Sequence, residues 1–151
     1  MAKKVDSRRK GHSFEREIVL KINELLYING IKKDGEIINV KRNLEQYQSK
    51  SLADINLPGF SIECKRYKKN NSDQPRSAWW DQVCEACEDS VPILVYKYDY
   101  QKIMIAYPAL LFSFDEQGYH FESLLKDYPA TMPFEQFMEL FVVLLKAHYG
   151  W

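Results

Sequence analysis

Two acidic residues and a lysine fall together in Ala53-Asp54-Ile55-Asn56-Leu57-Pro58-Gly59-Phe60-Ser61-Ile62-Glu63-Cys64-Lys65. With Pro58 and Gly59 as the two central residues of a turn, Ile55 faces Ile62, Leu57 faces Phe60 and Asp54 faces Glu63. Side chains alternate between faces along a strand. One face then collects Ile55, Leu57, Phe60, Ile62 and Cys64, and the other Asp54, Asn56, Ser61, Glu63 and Lys65. A slip of one residue would mix the two sets. Opposed Cβ atoms lie roughly 4.5–5.5 Å apart, close enough for both carboxylates to reach one cation. Like charges held that close are unfavourable unless something positive lies between them. Mg²⁺ suits the task, being hard, oxygen-seeking and held by one or two carboxylates plus substrate phosphates; Mn²⁺ can substitute. Lys65 projects from the same face roughly 7 Å beyond Glu63, where an ammonium can meet an attacking water or a scissile phosphate. The metal would lower the pKa of its bound water and offset charge on the transition state. The competing reading is a half-exposed hairpin whose polar face is simply solvated, which is common on open sheets. An L-Pro-Gly turn is usually type I or II, so a longer loop could shift the pairing without changing the faces.

The elements that must position these residues are read from periodicity. Residues 1–11 are basic and polar and are expected as a loose arm. From Ser13 a helix pattern begins, with Phe14, Ile18, Ile22, Leu25 and Leu26 at helical spacing, and Asn29-Gly30 stops it. A first strand is expected over 36–41, a polar loop over 43–52, and the hairpin strands over 53–57 and 60–67. A loop over 68–75 leads to a helix over 77–89. Strands over 92–98 and 102–107 flank Asp99-Tyr100-Gln101, and 108–132 reads as irregular. Pro133 opens a final helix, 133–148, with a stripe of Phe134, Phe137, Met138, Phe141, Val142 and Leu145. Leu140, Val143 and Leu144 make it apolar over much of its girth, so it is deeply packed or used for association. The order helix, three strands, helix, two strands, helix indicates an α/β layer arrangement, and 151 residues make one domain the expectation.

Asp54 followed by Glu63-Cys64-Lys65 after an apolar hairpin resembles the active-site signature of the PD-(D/E)xK nuclease superfamily. Ala53 stands where a Pro often precedes the first Asp. Gly11-His12-Ser13-Phe14-Glu15-Arg16-Glu17 is similar to the first-helix motif of Holliday-junction-resolvase-like members, in which the first Glu contributes to the metal site; here that is Glu15. Lys41-Arg42-Asn43-Leu44-Glu45-Gln46-Tyr47, Leu57-Pro58-Gly59-Phe60 and Trp79-Trp80-Asp81-Gln82 resemble small phage and prophage endonucleases of this superfamily. There the Gln after the aromatic pair faces the site from the helix following the Lys strand, which maps to Gln82. The resemblance spans about residues 8–107. Ser49-Lys50-Ser51-Leu52 replaces an expected Gly-rich stretch, and the tail from 108 onward carries no matching motif. The implied fold is restriction-endonuclease-like, a central mixed β-sheet flanked by helices. The implied activity is a metal-dependent DNA endonuclease of phage or prophage origin, with branched DNA such as Holliday junctions among its expected substrates.

Each residue also has a plainer reading. Glu15 borders the apolar stripe of the first helix and could be a surface partner for a Lys or Arg. Gln82 could be merely solvated. Lys41 and Arg42 at a strand end, and Arg66, Lys68 and Lys69 beyond Lys65, are candidates for DNA phosphate contacts or ordinary surface charge. Trp79 and Trp80 read as core anchors rather than base-stacking platforms, and His12 as a bystander. Cys84-x-x-Cys87 invites a zinc or redox reading, but His12, His120 and His148 have no ligand-like spacing and a helix runs through the pair.

Composition sets the outer bounds. Net charge is zero, yet residues 1–76 hold 17 Lys+Arg against 10 Asp+Glu, a net of +7, and residues 77–151 hold 4 against 11, a net of −7. Such asymmetry points to a polyanion site on one side. Hydrophobic residues at 46% and charged residues at 28% fit a folded chain rather than a disordered one. No apolar run reaches the ~18 residues of a membrane span, no apolar segment follows the basic N-terminus, and three cysteines cannot pair fully; a cytoplasmic protein is expected. DNA is the expected partner, and the apolar final helix suggests a homodimer, since cutting two strands favours two-fold symmetry. The alternatives are a non-catalytic DNA-binding or recombination-accessory protein on the same fold, and an interaction module that dimerises through that helix.

Overall fold

The computed structural model describes residues 2–43, 53–112 and 129–149. Helix α1, Ala2–Ile28, turns one side inward through Phe14, Ile18, Ile22 and Leu26, all buried. Its end is set by Gly30 at φ 59°, with the Gly30 N–H donating to Tyr27 O and the Ile31 N–H to Leu26 O. That pair of bonds is a Schellman motif, closed by the apolar contact of buried Ile31 with Leu26. The helix also takes in the segment expected as a loose arm. No proline interrupts residues 2–28, and Lys, Arg and Ala are good helix formers, so the chain continues outward as helix without an apolar stripe.

The strand expected over 36–41 is mostly absent. Strands β1, Lys32–Lys33, and β2, Glu36–Ile37, form a small exposed hairpin about Asp34 and Gly35, both at positive φ, as a type I′ turn requires. The Ile38 N–H still donates to Ile31 O at 3.0 Å, and beyond it Val40 leaves the ladder because an α1 side chain takes up its backbone. Asn23 Nδ2 donates to Val40 O at 2.9 Å, and the Val40 N–H donates to Asn23 Oδ1 at 2.7 Å.

Strands β3, Ile55–Leu57, and β4, Phe60–Tyr67, form the hairpin about Pro58-Gly59 in the expected register, Ile55 opposite Ile62 and Leu57 opposite Phe60. Gly59 at φ 91° gives the turn its type II character, and a Cβ there would lie 2.5 Å from His148 Nε2. Helix α2, Ser77–Ala86, crosses over to β5, Val91–Tyr98, which runs parallel to β4 over eight residue pairs. Strand β6, Met104–Pro108, returns antiparallel to β5.

A further strand, β7, Pro129–Pro133, pairs antiparallel with β6 where an irregular segment is expected from sequence. Its prolines hide it from a strand reading, and they are tolerated because they stand at the ends of an edge strand, where a missing N–H interrupts little. The five-stranded mixed sheet has the order β3-β4-β5-β6-β7. Helix α3, Phe134–His148, then packs through Phe134, Phe137, Met138, Phe141, Leu144 and Leu145 and leaves Leu140 and Val143 outside.

Strand parity divides the interior in two. Ile55, Leu57, Phe60, Ile62, Cys64, Ile93, Val95 and Ile105 pack with α1 and α3. Leu94, Tyr96, Tyr98, Met104 and Ala106 pack with Trp80 and Val83 of α2, which makes Trp80 a core anchor. All three cysteines are free thiols, and the Cys87 S–H donates to Cys84 O as α2 ends. No described helix is long and apolar enough to cross a membrane.

Candidate active site

Strand β4 carries Glu63 and Lys65 on the α2 side of the sheet, and Asp54 enters immediately before β3. The side assignment from alternation holds, but the polar side is not open water: Asp54, Ser61 and Glu63 are all buried. Each carboxylate caps backbone beside the other. The Cys64 N–H donates to Asp54 Oδ2 at 2.8 Å, and the Asp54 N–H to Glu63 Oε2 at 3.4 Å. From α2, Gln82 Nε2 donates to Glu63 Oε1 at 3.2 Å. The helix thus fixes one Glu63 oxygen and leaves the other toward Asp54.

Electrostatics follow from that geometry. Burial first, and then the neighbouring Asp54 carboxylate, push the Glu63 carboxyl from an ordinary 4.5 to about 8, while the Lys65 ammonium pulls the other way. Lys65 acts on Glu63 through space and makes no direct ion pair among the described residues. The buried Cys64 thiol is pushed up by burial, then by Asp54, Glu15 and Glu63, so all three carboxylates act on this point of β4.

Glu15 comes from α1, on the other side of the sheet. Its Oε2 accepts from Arg42 Nε at 2.9 Å, with both side chains largely enclosed. Arg42 bridges to Ile55 along the outer edge of β3, and the neighbouring Asn43 N–H donates to Asp54 O at 2.7 Å. The two carboxylates able to hold a divalent cation together are therefore Asp54 and Glu63. Among the described residues no group of three or more His, Cys, Asp or Glu side chains is placed to do so, and Glu15 is turned to Arg42 instead. Two carboxylates still fit Mg²⁺, which commonly takes one or two from the protein and fills its shell with water and phosphate.

The cations expected to meet phosphate divide sharply. Arg66 Nη2 binds Asp99 Oδ1 at 2.9 Å, where Lys10 Nζ also arrives at 2.6 Å, and the Asp99 carboxyl is held below its usual range. Arg42 is engaged by Glu15, whereas Lys41, Lys68 and Lys69 are exposed. His12 is exposed. Asn43 is described, but the rest of the loop to Leu52, including Ser49-Lys50-Ser51-Leu52, lies outside the described residues.

One cation on this side escapes sequence reasoning. The Arg76 guanidinium stacks 3.9 Å from the centroid of the Tyr67 ring. Only the parity of Glu63, Lys65 and Tyr67 on β4 hints at it.

A family model described as "Phage putative PDDEXK endonuclease" matches residues 6–146, nearly the whole chain. No curated protein and no solved structure matches.

Proposed function

Because the chain belongs to the phage PDDEXK endonuclease family, we propose that it hydrolyses DNA phosphodiester bonds as a Mg²⁺-dependent endonuclease, with Mn²⁺ able to substitute. What supports this most is the Asp54–Glu63 pair: two adjacent carboxylates, where burial first and the Asp54 charge second push the Glu63 carboxyl up to about 8. A divalent cation would replace that proton and relieve the repulsion.

Asp54 and Glu63 would hold the cation. When bound, such a cation lowers the pKa of its water and offsets charge developing on the phosphoryl oxygens. Gln82 keeps the Glu63 carboxylate oriented, as an outer hydrogen-bond partner does for a ligand. Lys65 orients the attacking water or the scissile phosphate. The water oxygen bonds to phosphorus and its proton passes to solvent, while one bridging P–O bond breaks and the leaving oxygen takes a proton from solvent to become a hydroxyl.

Glu15 is assigned a supporting role at the same end of β4, its pair with Arg42 holding the edge of β3 beside Asp54. Lys41, Lys68 and Lys69, which are exposed, would contact the DNA backbone, while Arg42 and Arg66 are engaged by Glu15 and Asp99. One nuclease domain and a homodimer through the exposed Leu140 and Val143 of α3 complete the reading. A preference for branched DNA rests on the resemblance of the first helix to junction resolvases.

Supercoiled plasmid and a four-way junction, incubated with Mg²⁺ and with EDTA, test this together with Lys65→Ala. Cleavage that needs metal and disappears in Lys65→Ala, with DNA binding retained, is the expected outcome. Binding without cleavage under any divalent ion would favour a non-catalytic accessory protein.

A further inference from the structure

Beside the carboxylates, on the α2 side of the sheet, stands a group of aromatic rings with one guanidinium that no step above uses. Tyr67 follows Glu63 and Lys65 on the same side of β4, so it stands roughly 7 Å beyond Lys65 along the strand. The Arg76 guanidinium carbon lies 3.9 Å from the Tyr67 centroid and 5.8 Å from that of Trp79. Trp79 in turn rests on Tyr98, with centroids 5.6 Å apart, and on Tyr96 at 6.2 Å.

The loop leading to Arg76 is tied down from within. Tyr96 Oη donates to Asp73 O, Tyr98 Oη to Gln74 O and Gln101 Nε2 to Asn70 O, each at 2.7 Å. Three side chains thus hold the backbone just ahead of an exposed arginine. Arg42 and Arg66 are each committed to a carboxylate, whereas Arg76 makes no ion pair among the described residues.

Stacking immobilises a guanidinium through its flat face without neutralising it, and the N–H edges stay available for a planar acceptor. A phosphate oxygen pair is such an acceptor. A salt bridge would have used those same edges.

We propose that Arg76, racked on Tyr67, clamps a DNA backbone phosphate about one to two nucleotides from the phosphate presented to Lys65. This rests on the endonuclease reading, and it makes Arg76 a binding residue that sets the register of the strand over the carboxylates.

The test is fluorescence anisotropy of a labelled DNA duplex titrated with the full chain in EDTA, over a salt series from about 50 to 200 mM, alongside thermal melts. Arg76→Ala and Arg76→Gln should each weaken binding about tenfold at low salt and shrink the slope of log affinity against log salt by about one, with melting unchanged. Arg76→Lys should keep the slope and bind a few-fold more weakly, because an ammonium loses the stacked fork. Arg76→Ala binding with the wild-type affinity and slope would overturn the clamp and leave the nuclease reading standing. A loss that tracks lowered melting would also overturn it, in favour of a structural staple. A wild-type chain that binds no DNA would overturn both.

Discussion

Glu15 and Glu63 are buried almost equally, 7% and 4% exposed, on opposite sides of one sheet end, yet their surroundings differ in sign. Glu15 has a guanidinium 2.9 Å away, fixed by the Arg42 bridge to β3. Glu63 has a second carboxylate beside it, a neutral amide from α2 and no ion pair among the described residues, the Lys65 ammonium acting only through space. A buried acid with a resident cation is complete in itself. A buried acid next to another acid either keeps a proton or waits for a cation to arrive. Equal burial therefore does not distinguish the two acids; the charge beside each does, and it favours the Asp54–Glu63 end as the proposed site.

The comparison can be broken at either acid. The largest effect falls on Glu63 and its neighbours: Asp54→Asn, Glu63→Gln or Lys65→Ala should each lower plasmid cleavage in Mg²⁺ by about 10³-fold or more, measured as initial rates. Arg42→Ala should come next, destabilising the chain by about 2–3 kcal/mol in urea unfolding because it strands the Glu15 charge; the figure sits below that of a fully enclosed pair since Arg42 is 17% exposed. Arg42→Ala leaving stability unchanged would show that the Glu15 charge does not need its partner. Gln82→Leu should reduce cleavage about 10-fold while leaving the fold intact, as expected for the loss of an outer orienting bond.

A smaller effect is read by pH. The folded chain holds the Glu63 proton up to about 8 while an unfolded carboxyl releases it near 4.5, so in EDTA stability should fall as pH rises through that window. Glu63→Gln should flatten this slope and make the metal-free protein more stable than wild type at pH 8. Asp54→Asn should also stabilise it, since an amide can still accept the Cys64 N–H without repelling Glu63. Melting temperatures across pH 5–9 decide both, and a slope that Glu63→Gln leaves intact would assign it to other groups.

The hairpin was legible because two local rules agree there. Pro58-Gly59 limits the turn, and alternation over 53–65 leaves one register that sorts apolar from polar. The helix end at Gly30 and the core side of α3 were legible for similar reasons, being set by neighbours in sequence. What escaped depends on distant partners. Asn23 takes Val40 out of a strand by satisfying both of its backbone groups. β7 survives its prolines only because it lies at an edge. The Glu15–Arg42 pair joins residues 27 apart, and nothing in alternation tells that α2 covers Glu63 rather than solvent. Arg76 stayed hidden since its ring partner lies in the preceding strand.

The most direct test is calorimetric titration of Mn²⁺ into the DNA-free protein at pH 7, in two buffers of different ionisation enthalpy. If Asp54 and Glu63 await a cation, binding should release close to one proton, and Glu63→Gln should abolish that release. Metal uptake without proton release, or uptake unchanged in Glu63→Gln, would contradict it.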